Sequence, residues 1–93
     1  MPHEYFFKTT PAFRKALRKL TLRQKVSVLN AFSILKDNPF DARLRTHKIH
    51  GLSAKLGRTI YSVHIESDLR AIFYVEGDLA VSLDIGDHAI YRN

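Results

Sequence analysis

From Arg58 to Asp87 the chain alternates apolar and polar residues with a period of two. Tyr61, Val63 and Ile65, then Leu69, Ala71, Phe73 and Val75, then Leu79, Val81, Leu83 and Ile85 fall on one side of a ribbon, the pattern of three half-buried strands. Glu66-Ser67-Asp68 and Glu76-Gly77-Asp78 interrupt the pattern as three-residue hairpin loops. Loops of that length pair His64 with Arg70, Val63 with Ala71, Phe73 with Val81 and Arg70 with Asp84. One face of the ribbon is then continuously apolar. The other carries Ser62, His64, Arg70, Ser82 and Asp84, with Ile60, Ile72 and Tyr74 among them as a small docking patch.

Upstream the period changes. Glu4 to Lys8 is short, aromatic and strand-like, and it runs into Thr10-Pro11, an N-cap followed by proline at the first helical position. Phe13, Leu17 and Leu20, separated by Arg14, Lys15, Arg18 and Lys19, predict a short basic amphipathic helix. Thr21 caps a second helix, whose predicted apolar stripe is Leu22, Val26, Leu29, Phe32 or Ala31, and Leu35. Asn38-Pro39 stops it after Asp37. Phe40 to Leu56 is irregular and rich in Arg, His and Lys, and reads as a connection with a short extended run at Leu44 to Ile49. The expected fold is α+β, in the order β-α-α-β-β-β, with a helical hairpin packed on one face of a small antiparallel sheet.

Composition narrows the class. A chain of 93 residues without a linker or repeat reads as a single domain over 1–93. With 15 Lys and Arg against 9 Asp and Glu, the net charge of +6 favours a polyanionic partner. The basic residues are not confined to one amphipathic helix, so nucleic acid is preferred to a membrane. A groove-reading helix-turn-helix is the weaker reading of the helical pair, because its exposed positions are Arg and Lys rather than residues that read base edges, and the sheet needs the helices as cover. Cysteine is absent, which excludes disulfides, thiol nucleophiles and Cys-based zinc sites. The opening MPHEYFFKTT has no long apolar core or cleavage signature, so the expected location is cytoplasmic.

Five histidines, four of them His47, His50, His64 and His88, raise the question of a site. His47 and His50 have an H-x-x-H spacing, but no carboxylate cluster completes a metal set, and neither a metal nor a cofactor is expected. Acid–base chemistry fits better. Two imidazoles titrating near neutrality, the forked cation of Arg70 and the phenol of Tyr91 are the parts of a ribonuclease. A base would deprotonate the 2′-hydroxyl, which attacks the adjacent phosphorus; a cation would steady the phosphorane; an acid would protonate the departing 5′-oxygen. Each residue also has a plainer use. Arg70 would pair with Asp84 across the sheet, Asp68 is a natural turn residue, and Tyr91 would serve as core packing.

The segments NPF (Asn38 to Phe40), LRTHKIHG (Leu44 to Gly51), YSVHIESDLRAIFYV (Tyr61 to Val75) and SLDIGDHAIY (Ser82 to Tyr91) resemble, in order and spacing, the RelE/ParE superfamily of toxins from type II toxin–antitoxin pairs. The resemblance covers nearly the whole chain and is nearest to the histidine-using mRNA endonuclease branch. It implies that His47, His64, Asp68, His88 and Tyr91 match that branch's site, and that Arg70 matches the transition-state arginine of the more typical RelE branch. Ser62 stands where that branch has a lysine, and His64 replaces a second one. The phosphate-stabilising charge then falls to Arg70, with Lys48, Lys55 and Arg58 as RNA-binding helpers. The implied partners are a cognate antitoxin, in a higher-order complex, and mRNA on the ribosome. The competing expectations are a ParE-like inhibitor of DNA gyrase without nuclease activity, and an inactive antitoxin-binding homologue.

Overall fold

Thr10 begins the helical layer as its sequence suggests. In the computed structural model, which describes residues 5–92, its hydroxyl accepts the Phe13 amide at 3.2 Å and donates to the Ser82 carbonyl at 3.0 Å. One cap therefore starts the first helix, α1 (Pro11–Arg18), and ties it to the sheet. Thr21 and Gln24 form a reciprocal capping box at the head of α2 (Leu22–Asp37). Asn38-Pro39 ends that helix as expected. Before the helices lies β1 (Phe6–Thr9); the expected strand began at Glu4, which lies outside the described residues.

Three further strands form the ribbon: β3 (Tyr61–Glu66), β4 (Leu69–Glu76) and β5 (Leu79–Gly86). A two-residue strand, β2 (His47–Lys48), joins β3 at one edge, and β1 joins β5 at the other, in the order β1-β5-β4-β3-β2. The β1–β5 pair is parallel, so the sheet is mixed rather than wholly antiparallel. The α+β architecture stands, with α1 and α2 on one face over Val63, Leu69, Ala71, Phe73, Ala80 and Ile85.

Register is where alternation misleads. His64 faces Arg70 and Val63 faces Ala71, as predicted. Between β4 and β5, however, Phe73 faces Ser82 rather than Val81, and Arg70 faces Gly86 rather than Asp84. Both hairpin loops are a residue shorter than expected. Glu66 pairs with Leu69 and Glu76 with Leu79, with Ser67 at φ 44° and Gly77 at φ 63° opening the turns. Beyond Phe73, Leu83 bulges out of the ladder and shifts the pairing again. Ser82 consequently lies buried opposite Phe73 instead of on the polar face, and Asp84 accepts the Ile85 amide rather than pairing with Arg70.

Helix α2 reverses part of its expected stripe. Val28, Ala31 and Leu35 enter the core, with Phe32 stacked near Phe13, whereas Leu22 and Leu29 are 79% and 70% exposed and Val26 is half exposed. The helix carries two apolar stripes, and the sheet takes the one that includes Val28. Leu35→Ala is thus expected to cost about 2–5 kcal/mol in urea unfolding. Leu29→Ala should stay within about 0.5 kcal/mol; equal losses would mean the stripes are assigned the wrong way round.

The connecting segment has more structure than its composition suggests. A 3₁₀ turn at Ala42–Leu44 is capped by Asp41, whose carboxyl is held at about 2 by hydrogen bonds from the side chain and amide of Arg43. After β2, a third helix, α3 (His50–Leu56), crosses the face opposite α1 and α2. It covers part of the supposed docking patch. Ile60 is 0% and Ile72 4% exposed, packed with Leu52 and Ile90 in a second small core that Tyr74 joins at its margin.

Candidate active site

The chain following β5 turns back over the sheet. Gly86 makes this possible, because a Cβ there would come within 2.9 Å of Ile90 Cγ2. The Asp87 carboxylate accepts the Ala89 amide at 2.8 Å and starts a 3₁₀ turn over His88–Arg92. Ile90 is buried in the second core, which fixes His88 and Tyr91 on either side of it. The turn therefore sets two side chains over the strand that carries Arg70.

Asp68, in the β3–β4 turn, joins these parts. Its Oδ1 accepts from Arg70 Nη2 at 3.4 Å and from His88 Nδ1 at 3.3 Å. Arg70 Nη1 donates to the Tyr91 hydroxyl at 3.3 Å, and the His88 and Tyr91 rings meet edge-on with centroids 5.1 Å apart. The Arg70 side chain is 19% exposed on the face away from α1 and α2. The hydrogen bond to Tyr91 raises its pKa further, outweighing the opposing effect of partial burial, so it is a fixed positive charge. Four of the residues expected at a site, Asp68, Arg70, His88 and Tyr91, are thus brought together.

His64 and His47 stand beside this group without bonding to it. His64 neighbours Arg70 in the ladder, and its Nε2 lies 2.9 Å from the Ser67 carbonyl. A carbonyl only accepts, so Nε2 carries the proton and Nδ1 of the neutral ring keeps its lone pair. His47 pairs with Ser62 at the sheet edge, and its Nδ1 bonds the Arg45 carbonyl at 3.0 Å, which leaves Nε2 without a partner among the described residues. Lys48 and Lys55 are exposed. Arg58 lies apart from the group, 4.0 Å above the Tyr74 ring and 3.4 Å from Glu76. Among the described residues no three His, Cys, Asp or Glu side chains converge on a point that would hold a metal.

One member of the group was not singled out for a role by sequence. Ser62 is 1% exposed and its hydroxyl lies 2.6 Å from the Tyr91 oxygen. Alternation places it on the polar face, but its burial depends on the 3₁₀ turn arriving from 29 residues downstream.

No family model and no curated protein sequence matches the chain. Solved structures do. The archaeal RelE–RelB complex of Pyrococcus horikoshii OT3 contains a chain that superposes with a TM-score of 0.72 at 18% identity, over 90% of this chain and 94% of that one. The E. coli DinJ–YafQ toxin–antitoxin complex matches with a TM-score of 0.73 at 16% identity, over 94% and 96% of the two chains. The Helicobacter pylori protein HP0894 matches at 25% identity with a TM-score of 0.60, over 91% and 96%. This chain has the RelE-like fold. The RelE-like arrangement thereby bears out the α+β architecture expected from the sequence, a helical hairpin packed on one face of the sheet.

Proposed function

We propose that the protein is the toxin of a toxin–antitoxin pair and that it cuts messenger RNA during translation. The observation that carries this reading is the Asp68 carboxylate shared between Arg70 and His88, with Tyr91 bonded to the same guanidinium. In the reaction, a neutral histidine removes the 2′-hydroxyl proton; His64, whose Nε2 is taken up by the Ser67 carbonyl so that Nδ1 is the nitrogen left to accept, is assigned this role, with His47 at the edge as the second candidate. The 2′-oxygen attacks phosphorus, and Arg70 neutralises the charge that gathers on the non-bridging oxygens. His88, whose Nδ1 rests on Asp68, exchanges a proton through Nε2 and protonates the leaving 5′-oxygen. The products are a 2′,3′-cyclic phosphate and a 5′-hydroxyl. Lys48, Lys55 and Arg58 add positive field for the RNA, an effect that fades with salt.

An antitoxin is the natural partner of the exposed stripe on α2. Leu29 of that stripe, together with Leu17 of α1 and the edge of the core residue Val28, lines a groove of about 320 Å³ flanked by Arg18 and Lys25, which suits an acidic amphipathic segment that orders on binding. The expected setting is the cytoplasm, with toxin and antitoxin in a higher-order complex; no helix among the described residues is long and apolar enough to cross a membrane. Induced expression followed by primer extension on a translated message tests the reading. New 5′ ends inside coding sequence are expected. Arrest of DNA replication with messages intact would overturn it in favour of gyrase inhibition.

A further inference from the structure

Among the described residues, the buried Ser62 hydroxyl has one hydrogen-bond partner, the Tyr91 oxygen at 2.6 Å. Arg70 Nη1 points at the same oxygen from 3.3 Å. A guanidinium has donors and no acceptor, so the phenol oxygen accepts in that contact. The direction of the Ser62–Tyr91 bond then decides where the phenol proton goes. If Tyr91 donated to Ser62, the serine proton would be left buried without an acceptor, the kind of orphan that folded proteins avoid. If Ser62 donates, both hydroxyls are satisfied, and the Tyr91 proton is the one left over. It then projects away from Ser62 and Arg70.

We propose that Ser62 is a positioning residue that donates to Tyr91 and so fixes the phenol as a hydrogen-bond donor to a phosphate oxygen of bound RNA. This rests on the nuclease reading above. Arg70 and Tyr91 then offer their donors to the same phosphate group, and Ser62, which never touches substrate, sets the direction of one of them. A hydroxyl is required at this position. It must fit beneath the 3₁₀ turn, within 2.6 Å of the phenol, in a site that is 1% exposed.

The test is a double-mutant cycle on the full chain with Ser62→Ala and Tyr91→Phe, with Ser62→Thr as the conservative control. Single-turnover cleavage of message on programmed ribosomes is read alongside ribosome affinity and urea unfolding. Ser62→Ala is expected to slow cleavage on the order of 10-fold with affinity unchanged. Ser62→Thr should recover most of the rate, and Ser62→Ala should add no further loss to Tyr91→Phe. A parent-like rate in Ser62→Ala, or losses that multiply in the double variant, overturns the proposal. The unfolding data separate it from the nuclease reading. Absence of coupling between the two hydroxyls in stability sinks the Ser62–Tyr91 bond whichever way cleavage falls. A parent protein that leaves every message intact sinks the nuclease reading instead.

Discussion

Arg70→Ala is expected to reduce single-turnover message cleavage by roughly 10²- to 10³-fold, the loss that follows removal of one charged stabiliser from an otherwise intact site. The guanidinium is held but not saturated. Its contacts to Tyr91 and Asp68 are long, at 3.3 and 3.4 Å, and its buried Nε has no partner among the described residues. A phosphate arriving beside it would take up donors that the protein leaves weakly used. Arg70→Lys should recover only a small part of the rate, because an ammonium supplies charge without the planar fork. Unfolding should change little by comparison, since Tyr91 keeps its bond to Ser62. A variant that folds, binds ribosomes and cleaves like the parent would remove Arg70 from the mechanism.

The parts of this fold set by neighbours in sequence are those the sequence shows. Thr10-Pro11 and the Thr21–Gln24 box act within one turn of helix, and both caps form as written. In the β3–β4 pair, His64 falls opposite Arg70 as alternation predicts, but only because an irregularity at Ile65, between His64 and Glu66, offsets a turn one residue shorter than expected. What failed depends on distant surfaces. Helix α2 displays two apolar stripes, and nothing within its sixteen residues says which one the sheet will cover. The β4–β5 register turned on a single residue in the Gly77 turn and on the Leu83 bulge, and a one-residue slip exchanges the two faces of a strand. Helix α3 is seven residues long, too short to declare a period, yet it converts Ile60 and Ile72 from surface to core. The same distinction divides the site. Asp68 and Arg70 are two residues apart and meet through the hairpin, whereas the positions of His88 and Tyr91, and with them the burial of Ser62, depend on Gly86 letting the final turn fold back over the sheet.

His88→Ala is expected to lose about 10²-fold or more in the chemical step, and the form of the loss identifies the proton it moves. Asp68 orients the ring by accepting from Nδ1, so the exchanging nitrogen is Nε2. If that nitrogen protonates the departing 5′-oxygen, the need for it disappears when the leaving atom is a better leaving group. RNA with sulfur in place of the bridging 5′-oxygen at the cut supplies that case, since a thiolate departs without being protonated. On this substrate His88→Ala should regain most of its lost rate, while Arg70→Ala should stay impaired because the phosphorane charge is unchanged. Asp68→Asn should fall between parent and His88→Ala on ordinary RNA, since it orients His88 without exchanging the proton. It should recover only partly on the sulfur substrate, because the same carboxylate also holds Arg70. Equal impairment of His88→Ala on both substrates would move His88 from the leaving group to the attacking hydroxyl, and would exchange its role with that of His64.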